Sequence, residues 1–368
     1  DGTEIGSVKL ADGAAVEKAL DNANKLFRNR KKWLKPHERV AVLERVAGMM
    51  SQRVDELAVE AAREGGKPFA DSKVEAVRAI DSLTGCIEVL RTQAGVEVPM
   101  GLTPASENRV AFTRKEPIGV VVAVSAFNHP LNLIVHQVGP AVATGCPVIV
   151  KPASDTPLSC FRFVGMLHEA GLPPEWCQPL VAGRDDATRL VTDSRVAFFS
   201  FIGSAEIGWG LRSKLAPGTR CALEHGGSAP VIVAADADLG AAIPMLSKGG
   251  FYHAGQVCVS VQRVFAHESI AKDLANRLAE AGKQLKIGDP TLADTDVGPL
   301  IRPAEVDRVE SWVNEAFDAG TEVLSGAKRI SASCYECTVL FDPPASAKVS
   351  ELEVFGPVIC VYPYADLD

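Results

Sequence analysis

Short, mostly apolar segments recur from residue 118 onward, and they constrain this chain more than anything else in it. They fall at 118–124, 147–150, 178–181, 196–201, 220–223 and 230–233. Helix-like patterns lie between them, centred on 135–143, 158–170, 186–191 and 205–215. A strand that is apolar on both sides has to be covered on both sides. Strands of that kind separated by helices predict an α/β fold with a parallel sheet. Such sheets carry their ligand sites beyond the C-terminal strand ends, where the strand order reverses.

The flanking regions read differently. Val16, Leu20, Ala23 and Phe27 are spaced for one helix, and Val42, Val46, Met49, Leu57 and Ala61 for more helix. A further helix covers 74–92. Residues 109–115 alternate and precede Glu116-Pro117, which predicts an exposed strand. After Asp238 a second unit begins, with helices over 239–248, 270–285 and 303–319 and strands near Val339 and Val358. The stretch GQVCVSVQRV, 255–264, alternates apolar and polar residues and predicts a strand carrying Cys258. A chain of 368 residues suits two domains, 1–224 and 225–368.

Composition removes several function classes. A net charge of -8 disfavours a nucleic-acid or anionic-membrane surface. The longest apolar run, near 118–126, is far short of the roughly 20 residues of a membrane helix. No signal-peptide pattern is visible. Nine cysteines, an odd number irregularly spaced, predict reduced thiols and a cytoplasmic protein. Cys334-Tyr-Glu-Cys337 lacks the additional ligands that zinc requires, so no metal is expected.

Residues with chemistry collect at the predicted strand ends. Asn128, within Phe127-Asn128-His129-Pro130, can donate its amide to an oxyanion, or it can simply shape a turn. Lys151 can meet phosphate or ribose oxygens, or it can be a surface lysine before a proline turn. Gly203-Ser204, between a strand and a helix, can hold a phosphate on the helix N-terminus or be only a turn. Glu224, before Gly226-Gly227, can be a general base whose pKa burial raises, or a surface carboxylate. Cys258 can be a buried filler or a nucleophile.

Together Phe127-Asn128-His129-Pro130, Lys151-Pro152, Phe201-Ile202-Gly203-Ser204, Glu224-His225-Gly226-Gly227, Gly255-Gln256-Val257-Cys258 and Glu353-Val354-Phe355-Gly356-Pro357 resemble the motifs of the aldehyde dehydrogenase superfamily, in family order. The segment 131–140 resembles the lactaldehyde and non-phosphorylating glyceraldehyde-3-phosphate dehydrogenase branch. The resemblance implies a Rossmann-type cofactor domain and an α/β catalytic domain. It also implies a β-extension near 96–116 that joins subunits into a homodimer or homotetramer. Cys258 would attack an aldehyde, Asn128 would hold the oxyanion and Glu224 would activate the hydrolytic water. Lys151, Ser154, Gly203, Ser204, Phe127, Glu353 and Phe355 would contact NAD or NADP.

The departures from the family pattern also carry expectations. Ile202 replaces a usual Thr, His225 a usual Leu, Phe127 a common Trp and His129 a common Phe, the last lining the substrate tunnel. Ser154 stands where NAD-preferring members often carry Glu, which predicts acceptance of NADP. The resemblance also implies further chain beyond residue 368, and residues missing near 329–334. Two alternatives stay open: an acylating, CoA-dependent dehydrogenase, and a non-catalytic protein that retains the fold.

Overall fold

The computed structural model describes residues 2–366. Four helices lead the chain: Gly13–Arg28, Pro36–Ser51, Val54–Gly65 and Phe69–Thr92. Two five-stranded sheets follow. The first runs, in spatial order, Cys177–Pro179, Val148–Lys151, Val120–Val124, Val196–Ile202 and Arg220–Glu224, and every neighbouring pair is parallel. The second runs Val231–Val233, Arg263–His267, Val358–Tyr364, Thr338–Phe341 and Glu322–Ser325, parallel except for the last strand.

Alternation along one strand builds two cores. Val121 and Ala123 join the cluster under helices Pro36–Ser51, Phe69–Thr92, Asn132–Thr144 and Leu158–Glu169. Val120 and Val122 join the cluster with Val16, Leu20 and Leu190, which lies under the helices Gly13–Arg28 and Arg184–Thr192. Both faces of the sheet are therefore covered, which is why its strands are apolar on both sides. The strand order reverses between Val120–Val124 and Val196–Ile202. Gln137 ties that junction together. Its amide nitrogen donates to the carbonyls of Val124 and Ser200, each at 3.1 Å.

Three expectations need correction. The segment 230–233 is an edge strand of the second sheet, not of the first. The strand Glu322–Ser325 has no signal in the sequence, because its four residues carry no long alternation. Cys258 lies in a turn, and the strand begins only at Arg263. The apolar-polar alternation of 257–262 is not matched by burial: Val257, Ser260 and Gln262 are buried while Cys258 and Val259 are both exposed. The Val257 carbonyl accepts the Ser260 N–H at 3.0 Å, which closes that turn.

Within 109–115 only Ala111–Phe112 pairs, antiparallel to Glu97–Val98, in an isolated two-stranded ribbon. Leu102, Val110 and Phe112 on it are more than three-quarters exposed. No helix among the described residues is long and apolar enough to cross a membrane.

Candidate active site

A cavity of about 1410 Å³ collects the C-terminal ends of the first sheet and the loops of the second. Phe127, Asn128, Lys151, Gly203, Ser204, Glu224, Cys258, Glu353 and Phe355 all line it. Residues spread from 127 to 355 of the sequence thus share one wall, because parallel strands end on one side and their following loops converge there.

The position of Cys258 depends on backbone geometry. The helix Leu239–Phe251 gives way to three left-handed residues, His253, Ala254 and Gly255, at φ 48°, 54° and 71°. Left-handed backbone is costly for any residue but glycine, so neighbouring structure must hold it. Gln256, buried, does part of this. Its amide donates to the carbonyls of His253 and Pro299 at 3.3 and 3.2 Å, and its oxygen accepts the Ile301 N–H at 2.9 Å. Gly255 also touches the Glu353 loop, since a Cβ there would lie 2.0 Å from the Gly356 carbonyl oxygen. Gly255→Ala should therefore cost about 3 kcal/mol or more of stability, from left-handed strain plus a backbone clash. Thermal unfolding checks this, and an unchanged midpoint would contradict the contact.

Electrostatics around the thiol are mixed. Cys258 is open to the cavity, yet protein walls surround it, and this desolvation raises its pKa. The backbone N–H groups of Cys258 and Val259 act in the other direction, while the carboxylates of Glu353 and Glu224 raise it further. Asn128 is buried, and its side-chain amide has no partner among the described residues, so it can face a ligand. Glu224 ends the strand Arg220–Glu224 and is exposed to the cavity. Of the two readings open for it, a buried base or a surface carboxylate, the exposure fits the second, though the carboxylate still lines the cavity.

Glu353 is fixed from two sides. It accepts the Gly227 N–H at 3.1 Å and packs on Gly226, where a Cβ would lie 1.9 Å from its carboxylate. Burial raises its pKa, opposed by the Gly227 N–H and Arg308. Phe355 meets Phe127 edge to face, with ring centroids 5.8 Å apart. Burial lowers the pKa of Lys151, which the nearby Asp155 carboxylate opposes.

Ser154 is the exception. It lies exposed in a turn outside the cavity wall, whereas Asp155, the next residue, is part of that wall. Both residues are exposed in the turn after Lys151, so Asp155 stands beside Ser154 as a second residue of that turn that a cofactor could meet.

The model of the aldehyde dehydrogenase family matches residues 1–368. The chain belongs to the aldehyde dehydrogenase family.

A 3-sulfolactaldehyde dehydrogenase of Priestia aryabhattai is 39% identical over 362 residues, 98% of this chain and 75% of that protein. Aldehyde dehydrogenase 21 of Physcomitrella patens, solved with succinate, superposes with a TM-score of 0.92 at 35% identity, covering 98% of this chain and 74% of that one. The glyceraldehyde-3-phosphate dehydrogenase GapN of Methanocaldococcus jannaschii, solved with NADP, gives 0.92 at 32% identity, covering 98% and 78%. This aldehyde dehydrogenase is an oxidoreductase that takes NAD or NADP and converts an aldehyde to a carboxylic acid.

The cavity suits a dinucleotide. A Cβ at Gly203 would lie 2.8 Å from the Phe201 ring, so the strand end stays open only with glycine. Ser204 is the N-cap of the helix Ala205–Arg212 but makes no side-chain cap bond, which leaves first-turn N–H groups available to an anion. Two supports were invisible in the sequence. Gln262, buried, donates to the carbonyls of Val349 and Leu352 at 2.9 and 2.7 Å and accepts the Val354 N–H at 2.8 Å, which sets the loop bearing Glu353. Lys67 and Glu75 form a buried ion pair behind His129. Neither has a motif, because each acts through partners distant in sequence. Among the described residues no group of three His, Cys, Asp or Glu could hold a metal.

Proposed function

We propose that this dehydrogenase is hydrolytic and that Cys258 is its nucleophile. The observation that carries this reading is the convergence of Cys258, Asn128 and Glu224 on one cavity with Glu353 and the open Gly203-Ser204 turn. In the proposed reaction the Cys258 thiolate adds to the aldehyde carbon and gives a thiohemiacetal. The Asn128 amide and the Cys258 N–H donate to the oxygen that takes the charge. The nicotinamide, when bound, supplies the hydride acceptor, and a thioester remains on Cys258. Glu224 then takes a proton from water, which attacks the thioester and frees the acid and the thiolate.

Lys151, Gly203, Ser204, Phe127, Glu353 and Phe355 would hold the cofactor, with residues 1–224 forming its domain and 225–368 the catalytic one. An acylating reaction would leave Glu224 without a task. The test is formation of reduced nicotinamide with a panel of aldehydes, with and without CoA. Turnover that requires CoA would overturn the hydrolytic reading. The apolar ribbon around Val110 and Phe112 supports a homodimer or homotetramer, because exposed strand edges need a partner. A monomeric mass by light scattering would refute it. A cytoplasmic location fits the nine free thiols. Fractionation of cells that places the protein outside the cytoplasm would refute that.

Cofactor choice moves from Ser154 to Asp155. The Asp155 carboxylate faces the cavity near Lys151, tempered by Arg302 at 3.6 Å. A carboxylate there repels an extra phosphate. Asp155→Ser should raise the NADP to NAD ratio of kcat/KM about tenfold. Ser154→Glu should leave the ratio almost unchanged. Steady-state kinetics with both cofactors decide this, and the reverse pattern restores Ser154 as the determinant.

A further inference from the structure

Val354 is buried, and its neighbours Glu353 and Phe355 both line the cavity. The peptide groups of a buried residue need partners within the protein. The Val354 N–H donates to Gln262 Oε1 at 2.8 Å. Its carbonyl accepts from Arg308 Nη2 at 2.7 Å and has no other partner among the described residues. Phe355 follows at φ 48°, a left-handed conformation that is costly for any residue but glycine. Gly356 then packs on the helix that carries Arg308, where a Cβ would lie 2.6 Å from Val309 Cγ2. A turn strained in this way keeps its shape only while its neighbours hold it. Gln262 holds the N–H side of Val354, and Arg308 the carbonyl side.

Arg308 is itself fixed. Its Nε donates to Glu305 Oε2 at 2.9 Å, and its guanidinium lies over the Trp312 ring, 4.7 Å from the centroid. Both partners stand on its own helix, Pro303–Asp318. A guanidinium presents its donors in a rigid fork, so one edge can meet Glu305 while a terminal nitrogen meets Val354. Arg308 also faces the cavity, and its charge opposes the burial that raises the Glu353 pKa. Glu305 lies 3.4 Å from Arg302, which reaches Asp155 of the first unit at 3.6 Å. The first turns of this helix therefore meet both the turn after Lys151 and the turn bearing Glu353.

We infer that Arg308 is a positioning residue for the cofactor: by donating to the Val354 carbonyl it holds the left-handed turn at Phe355, which aims the Glu353 carboxylate and the Phe355 ring into the cavity. This rests on the reading above in which Glu353 and Phe355 meet the cofactor. The test measures NAD affinity by calorimetry, aldehyde KM at saturating NAD, and amide hydrogen exchange over residues 352–357. It compares wild type with Arg308→Gln, Arg308→Lys, Glu353→Gln and the double variant R308Q/E353Q.

Arg308→Gln should raise the Kd for NAD about tenfold, through loss of a hydrogen bond from a charged donor. It should leave aldehyde KM within about twofold and speed exchange over 352–357, while the helix Pro303–Asp318 keeps its protection. Arg308→Lys keeps the charge without the fork and should stay close to Arg308→Gln. The double variant should bind NAD about as weakly as Glu353→Gln alone, because both changes act through one turn. Wild-type affinity in Arg308→Lys, unchanged exchange over 352–357 in Arg308→Gln, or effects that multiply in the double variant each overturn the inference. Faster exchange with unchanged NAD affinity in both Arg308→Gln and Glu353→Gln upholds the hold on the turn and counts instead against Glu353 as a cofactor contact. If the helix also loses protection in Arg308→Gln, Glu305→Gln, which loosens only the Nε anchor, decides the point. Faster exchange confined to 352–357 then supports the inference, and unchanged exchange overturns it.

Discussion

Cys258→Ala should lose at least about 10⁴-fold in aldehyde oxidation, because Cys258 is the exposed thiol of the cavity and forms the proposed acyl intermediate. The remaining thiols are poor substitutes. Burial pushes those of Cys86 and Cys337 up to about 11 and about 12; Cys86 lines the same cavity, but burial keeps its thiol protonated, and Cys337 is buried outside that cavity. Cofactor affinity should stay within a small factor of wild type, since Lys151, Gly203 and Ser204 sit on the first sheet and not on the nucleophile loop. Calorimetric titration with NAD or NADP measures that half of the expectation, and stopped-flow kinetics the other.

The wild-type pH profile gives the same residue a second test. The thiol is raised above its ordinary value, and the thiolate is the attacking species. Below that raised pKa, thiol ionisation, and with it the acylation rate, should climb about tenfold per pH unit. Residual turnover in Cys258→Ala above trace level would remove it as the nucleophile.

Glu224→Gln should separate the two halves of the reaction. Acylation does not need this carboxylate, so each site should release one equivalent of reduced cofactor in a rapid burst. Hydrolysis does need it, and steady-state turnover should fall by about 10²–10⁴-fold, the usual contribution of a general base. The thioester on Cys258 should then be detectable by mass spectrometry of the quenched enzyme. The carboxylate raises the Cys258 pKa, so its removal should also move the burst-rate profile to lower pH. Full steady-state turnover in the variant, with no added thiol acceptor, would take Glu224 out of deacylation.

The sequence by itself determined the parallel sheet, since strands apolar on both sides, such as Val120–Val124, fold stably only between two helical layers. It also determined that Asn128, Lys151, Gly203 and Glu224 would gather, because parallel strands all end on one side of their sheet. Tertiary structure decided the rest. Alternation around Cys258 read as a strand, yet a left-handed turn held by Gln256 and Gly356 carries the thiol, and such contacts leave no local period. Ser154 and Asp155 are neighbours in sequence, and only the fold shows that Asp155 lines the cavity wall. Whether Glu224 is buried or exposed was open in the sequence, because burial belongs to the surroundings and not to the residue. His129 meets Lys67, itself paired with Glu75, and both lie more than fifty residues earlier and carry no motif. Local periodicity fixes which faces are apolar. Which polar atom meets which is set by distances across the fold, and those exist only once the chain has closed.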